Sequence, residues 1–400
     1  MRRLIIGAAG GFALGYVTSR AFEALGDLRK PQTPLAANPK AYGRLRRRLM
    51  LAGIARSLAE LGALAYGPAA DALAPPPGGE PRARRLGLMA GGMLLSTLLE
   101  LPSSYIEDHV LERRYGLSKQ SARDWAVDQA KSAAISTALS LPLLELLATA
   151  IAKAPRSWPY LATAGTVPLL VLANVLVPNL IAPLFNTFEA LDGPLEGKLR
   201  ELAARYGAGD AKILRVDMSK QTEKANAYVT GLFGSKRIVL GDTLLRDFAE
   251  DETVFVVAHE LGHYVSRDVW RSVAGGTAAV AFVFFGARAI AGRDGTPLDS
   301  TLGLARTFFA ASFLTLAAGP ALAAFSRSRE RAADVFALEA TGAAHSGAAA
   351  FKRLRDKNMA EDEQPRWMEL LFSSHPSLKS RIERLERAFP TSESGAPRVA

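Results

Sequence analysis

The chain has 400 residues, of which 49% are hydrophobic, contains no cysteine and carries a formal net charge of +10. Without cysteine, disulfides and thiolate ligands are excluded, so any metal site must be built from His, Asp or Glu. A mean hydropathy of +0.09 is high for a soluble enzyme, so the basic excess is read as membrane orientation and affinity for anionic lipid. No nucleic-acid partner is expected, since no nucleic-acid motif accompanies the charge.

In chain order, Met1-Arg2-Arg3 precedes an apolar run over residues 4–17 that reads as a signal peptide or a short first span. A cleavable signal would end in small residues, whereas this run passes into Thr18-Ser19-Arg20, which favours a retained span. A polar linker ending in Arg46-Arg47-Arg48 marks a membrane edge. Residues 49–74 are apolar except for Arg56 and Glu60, four apart and able to pair inside a bundle. A third stretch starts at Leu86 and gives way to a polar segment over 107–131. Residues 132–152 and 158–185 follow, the latter carrying Pro168, Pro178 and Pro183, which are expected to kink or end helices. Stretches at 272–292 and 301–325 complete the set. The expectation is a mainly α, polytopic membrane protein with about seven transmembrane helices.

The polar region 186–271 breaks this pattern. GPLEGKLRELAARYG has helical periodicity, KILRVDM reads as a strand, and NAYVTGLFGSKRIVLGDTLL reads as a hairpin around Gly234-Ser235. A small β-sheet is expected there. DETVFVVAHELGHYVSRD then begins with acidic residues where a helix starts and reads as one helix running straight into the sixth span.

Within it, His259-Glu260-Leu261-Gly262-His263 sets two histidines one helical turn apart. They present two imidazoles to one metal, with Glu260 beside it as the base for water, the HEXXH arrangement of zinc proteases. With five histidines in the chain, a chance pairing at this spacing around a glutamate is improbable. A catalytic zinc keeps three protein ligands and an open position. SRSRERAAD, residues 326–334, offers Glu330 and Asp334 on one helical face just after the seventh span, which returns to the membrane face where HELGH sits. Glu330 is the third donor on that argument. Asp334, one turn on, is placed to hold a ligating imidazole. His109 and His345 read as ordinary surface or loop residues rather than ligands.

These motifs resemble the type I CAAX prenyl proteases, integral-membrane zinc metalloendopeptidases with seven spans, whose relatives include the bacterial heat-shock membrane protease HtpX. The likeness runs from EDHVLERRYGLSKQSARDWAVDQAK (107–131) through PLFNTFEAL (183–191), KANAY (224–228) and HELGH to SRSRERAAD and SSHPSLKSRIERL (373–385). It implies a split gluzincin-type catalytic domain with one Zn2+ per chain, Glu330 as third ligand and Asp334 as its partner. It also implies that His375 points into the active site, that Arg381 lies near it on the substrate side, and that Asn226, Ala227 and Tyr228 line the substrate as a strand. Lys224 stands where relatives often have histidine.

The reading is a zinc metalloendopeptidase acting on peptide or protein substrates, prenylated or membrane-associated chains included. Glu260 is its general base and His375 stabilises the oxyanion. Membrane-protein quality control is the role expected in a bacterium. The expected domains are 1–185 (spans one to five), 186–271 and 326–400 (catalytic) and 272–325 (spans six and seven). Lys and Arg in the linker before 49 and in 107–131 place catalysis on the cytoplasmic side. The other class still open is a non-catalytic seven-span channel or scaffold with a structural metal, which would be closed by four protein ligands.

Overall fold

The structure, a computed structural model, describes residues 38–388. The span expected at 4–17 lies outside them. Six helices among the described residues are long and apolar enough to cross a membrane. The first four are α1 (Pro39–Tyr66), α2 (Arg82–Ser104), α3 (Ala122–Lys153) and α4 (Trp158–Leu176). Then come β1 (Phe188–Ala190), α5 (Pro194–Arg205), β2 (Lys212–Val216), β3 (Ala227–Thr230), β4 (Arg237–Gly241), α6 (Asp242–Asp247) and α7 (Glu250–Val265). The remaining two long apolar helices are α8 (Asp268–Ala291) and α9 (Thr301–Thr341), followed by α10 (Ala344–Lys357), α11 (Arg366–Leu371) and α12 (Leu378–Ala388).

The described residues divide into two compact units. The first holds 41–171 and 273–318, and most of the long apolar helices. Leu94, Leu95, Leu98 and Leu99 of α2 all point outward, as hydrocarbon solvent allows and water would not. Inside, charge meets charge. Glu145 accepts from Arg85 Nε at 3.0 Å and Nη2 at 2.8 Å, and Arg56 pairs with Glu60 at 2.6 Å as their spacing suggests. Glu80 accepts the Thr301 N–H at 2.6 Å and so caps the start of α9.

Two local expectations change. The polar segment at 107 does not end α2, which continues through a seven-residue π-helical turn at Tyr105–Leu111 as far as Arg114. Ser121 then caps α3 by accepting the Asp124 N–H at 3.1 Å. Pro168 sits within α4, while Pro178 and Pro183 fall in π and 3-10 turns that carry the chain on to Leu184, since each removes an N–H from the ladder.

The second unit contains 172–272 and 319–388. Its sheet has the order β1-β2-β4-β3. β2 and β4 run parallel in the middle, Lys212 opposite Arg237 through Val216 opposite Gly241, while β1 and β3 are antiparallel edges. Ile238, Val239 and Leu240 are fully buried, which is why β4 reads as an unbroken apolar run. The hairpin expected at β3 and β4 forms, pairing Ala227 with Leu240 and Thr230 with Arg237. β1 was not expected as a strand: it has three residues, and only its ladder with β2 defines it. Leu199 and Leu202 of α5, Ile238 and Leu240 of β4, Phe255 and Leu261 of α7, Phe351 of α10 and Leu385 of α12 fill the core.

α7 does not run on into α8. It ends at Val265, Arg267 takes a left-handed φ of 54°, and a new helix starts at Asp268. In a continuous helix residue 268 would sit about 140° around from His263. The break brings it back.

α9 packs against α7 at Gly262, where an added Cβ would fall 3.1 Å from Ala333 Cα. The glycine of HELGH therefore lets the two helices touch backbone to side chain. Gly262→Ala is expected to lower stability by about 1–3 kcal/mol, the usual cost of overpacking, and to displace α9. Thermal unfolding of the detergent-solubilised protein checks this, and an unchanged Tm would contradict it.

Candidate metal centre

α7 carries His259 and His263 one turn apart, and α9 lays Glu330 across them. His259 Nε2 stands 3.4 Å from Glu330 Oε2, and His263 Nε2 stands 3.4 Å from Glu330 Oε1. Donor atoms of the three residues all lie within 4.8 Å of one another. His259 and Glu330 are buried and His263 is half-buried.

Each imidazole is oriented by a carboxylate on its other nitrogen. His259 Nδ1 lies 3.0 Å from Asp334 Oδ1, and His263 Nδ1 lies 2.9 Å from Asp268 Oδ2. Both contacts favour a proton on Nδ1, so that Nε2 is the nitrogen that would ligate a metal once the proton it shares with Glu330 is displaced. The carboxylates are held in turn. Arg329 Nε donates to Asp268 at 2.7 Å, and Arg381 gives Nη2 to Asp334 at 2.6 Å while its guanidinium stacks 4.1 Å over the Phe351 ring.

Arg381 was expected on the substrate side. It is instead buried behind Asp334, with Nη1 3.6 Å from Glu330 Oε2, a place from which it orders carboxylates rather than meeting a peptide. His375 comes to the centre: its Nε2 lies 3.3 Å from Glu330 Oε1 and its Nδ1 2.8 Å from Ser374 Oγ. Arg327, one turn before Glu330, donates to the carbonyls of Glu369 and Ser373 at 2.6 and 2.8 Å and ties down the segment leading to His375. Asn226 is exposed, Ala227 is buried and Tyr228 is half-buried on β3. His109 packs between Tyr105 and Trp125 in the other unit.

The donor set fits a divalent cation. Two donors sharing a tetrahedral zinc at about 2.0–2.1 Å lie about 3.3 Å apart; here each imidazole stands 3.4 Å from a different oxygen of Glu330, in a donor group within 4.8 Å. Glu330 Oε2 is buried and receives no hydrogen bond, with Arg381 Nη1 3.6 Å away, so a lone pair stays open to a metal ion. Burial pushes the Glu260 carboxyl above the usual carboxylate range, with Glu330 adding to the shift and His259, His263 and Arg381 opposing it. At His263 burial opposes protonation, but the hydrogen bonds to Glu330 and Asp268 outweigh it and raise the imidazole to about 9.

Peptidase family M48 matches residues 189–388, and the CAAX prenyl protease N-terminal region, with five membrane helices, matches residues 50–187. The chain belongs to peptidase family M48. It is 30% identical over 310 residues to the uncharacterized metalloprotease YhfN of Bacillus subtilis, covering 74% of this chain and 71% of that one. The CAAX prenyl protease 1 homolog of Oryza sativa is 32% identical over 318 residues, covering 76% and 73%. CAAX prenyl protease 1 of Saccharomyces cerevisiae is 38% identical over 186 residues, covering 46% and 40%. The crystal structure of S. mikatae Ste24p superposes with a TM-score of 0.72 at 25% identity, over 96% of this chain and 98% of that one. The protein is therefore an integral, multi-pass membrane metalloprotease of the M48 family, with a metal cofactor and peptide or protein substrates. The channel or scaffold reading is set aside.

Sequence reasoning missed Asp268 and Arg327. Asp268 lies five residues after His263, a spacing with no helical meaning, and only the left-handed Arg267 makes it a partner. Arg327 sits beside Glu330 in a charged run and looks like solvated surface. Because His263 keeps its proton up to about pH 9, a metal must displace that proton. Apparent metal affinity in this M48 chain should rise by about tenfold or more per pH unit from 7 towards 9, because at His259 too burial opposes protonation but is outweighed by hydrogen bonds to Asp334 and Glu330, which raise the imidazole. Titration against a chelator corrected for its own protonation tests this. Asp268→Asn should weaken affinity by about 10- to 100-fold and lower the pH at which the rise ends; a flat profile in the unmodified protein would contradict the assignment.

Proposed function

We propose that this M48 peptidase holds one zinc ion through His259, His263 and Glu330 and cleaves extended segments of membrane-associated proteins. The observation carrying this reading is the convergence of three donors within 4.8 Å, both imidazoles backed by carboxylates. When bound there, zinc supplies Lewis acidity, polarising a carbonyl and bringing the pKa of water toward neutrality.

The chain's own residues do the rest. Glu260 takes a proton from the attacking water as its oxygen bonds to the scissile carbon, then passes that proton to the amine nitrogen as the C–N bond breaks. A raised carboxyl pKa suits a group that must accept and release a proton near neutral pH. Asp334 and Asp268 keep His259 and His263 in the ligating tautomer, and Arg381 holds Asp334. His375, on the exposed side of Glu330, donates to the carbonyl oxygen as it gains negative charge. The substrate pairs with Asn226-Ala227-Tyr228 as an added strand, since β3 is an edge with β4 on one side only. Main-chain pairing accepts many sequences, so selectivity falls to neighbouring side chains and to membrane access. The catalytic domain is assigned to 186–271 and 326–400, the membrane part to 1–185 and 272–325, and the catalytic side to the cytoplasm from the basic loops. The relatives' names put prenylated carboxyl-terminal peptides in the test panel beside unmodified ones.

His263→Ala should lose metal and activity together, whereas Glu260→Gln should keep the metal and lose cleavage; normal turnover in Glu260→Gln would sink the mechanism. His375→Ala should slow turnover about a hundredfold or more at unchanged zinc content, since one oxyanion donor contributes roughly 3–4 kcal/mol. Metal loss in that variant would make His375 a ligand. Ala227→Pro should raise KM by removing a donor from the edge. Mass spectrometry of products from the peptide panel, with zinc content measured on each variant, decides among these outcomes.

A further inference from the structure

The end of α10 makes an unusual contact. Asn358 turns its side-chain amide onto the backbone of Ala225: Oδ1 accepts the Ala225 N–H at 2.9 Å, and Nδ2 donates to the Ala225 carbonyl at 3.2 Å. One side chain thus satisfies both main-chain groups of one buried residue, as a neighbouring strand would. Ala225 stands two residues before β3 and directly before Asn226. On either side of it, Thr243 Oγ1 donates to the Lys224 carbonyl at 2.8 Å and the Gly241 N–H donates to the Asn226 carbonyl at 2.9 Å.

The residue after Asn358 is strained. Met359 takes φ +50°, a conformation that favours glycine. It closes α10 with Ala360 N donating to the Arg355 carbonyl at 2.9 Å, while the methionine side chain is buried. The bracket is therefore fixed in direction. α10 is in turn locked to the metal helix α7: Arg353 makes a two-point contact with buried Glu252 at 2.9 and 3.2 Å, and Gly347 lies where an added Cβ would fall 2.5 Å from the Phe255 ring. Lys357 Nζ reaches Asp247 of α6 at 2.6 Å.

We propose that Asn358 is a positioning residue that fixes the register of edge strand β3 relative to α7, and so selects which peptide bond of a bound chain meets the metal centre. This rests on β3 being the substrate edge. At the other end of β3 the chain from Gly231 to Lys236 is longer than the two-residue turns that by themselves specify hairpin pairing. A slip of two residues along a strand moves the scissile position by about 7 Å. Beside the Thr243 and Gly241 contacts, both made from β4 and the helix that follows it, Asn358 opposes such a slip from an element anchored on the metal helix.

The test uses the full-length, zinc-loaded protein in detergent, with Asn358→Ala, Asn358→Asp and Ala227→Pro, on a peptide that the unmodified enzyme cuts at one bond. Asn358→Ala should keep one zinc, raise KM about tenfold, lower kcat less than about threefold, and cut at neighbouring bonds. Asn358→Asp keeps the acceptor but turns a carboxylate oxygen on the Ala225 carbonyl, so it should shift the cuts at least as far as Asn358→Ala, and it decides the matter if Asn358→Ala does not fold. If Ala227→Pro raises KM while the Asn358 variants leave KM and product distribution unchanged, the register assignment is wrong and the substrate edge stands. If Ala227→Pro has no effect, the substrate edge itself is misplaced and this inference falls with it. Equal loss of zinc and kcat in both Asn358 variants would make the residue structural and also overturn the proposal.

Discussion

The carboxylate of Glu330 lies within 3.4 Å of a nitrogen from each of two histidines, and the site depends on that shared contact. It exists because a helix of 41 residues passes across α7 at a glycine. Bringing these charges together out of water is unfavourable unless each is answered. Asp334 is answered by Arg381, and Asp268 by Arg329. Oε2 of Glu330 is the acceptor left for a cation. The surrounding ion pairs are better understood as holding donors in one arrangement than as adding stability.

Much of this was legible in the sequence for a definite physical reason. HELGH and SRSRERAAD are helical, so a spacing of four fixes which side chains share a face, and Glu330 and Asp334 arrive where that geometry requires. The long apolar stretches were legible because hydrocarbon demands about 20 apolar residues in a row. What could not be read depends on tertiary packing. β1 exists only through its partner β2, and Asp268 reaches His263 only because Arg267 interrupts the helix. Arg381, expected near His375 on the substrate side, is buried over Phe351 once α12 docks. The hand-off from α7 to α8 was misread because both sides of the break are helical, and no glycine or proline marks it.

The membrane unit follows the same logic at lower stakes. Its outward face is leucine-rich, while Arg85 with Glu145 and Glu80 with the start of α9 lie within it. A charge at membrane depth persists only with a partner. These pairs fix neighbours among the spans where apolar packing alone would leave rotation about each helix axis weakly specified.

The candidate metal donors are two imidazoles and a carboxylate in a chain without cysteine. Thiolate zinc sites release their metal when an oxidant converts sulfur to sulfenate or disulfide, which couples metal occupancy to redox poise. Here no donor atom has that chemistry. A metal held by this set would answer to acidity and competing chelators, and a burst of peroxide that empties a cysteine-based site finds no sulfur here to oxidise.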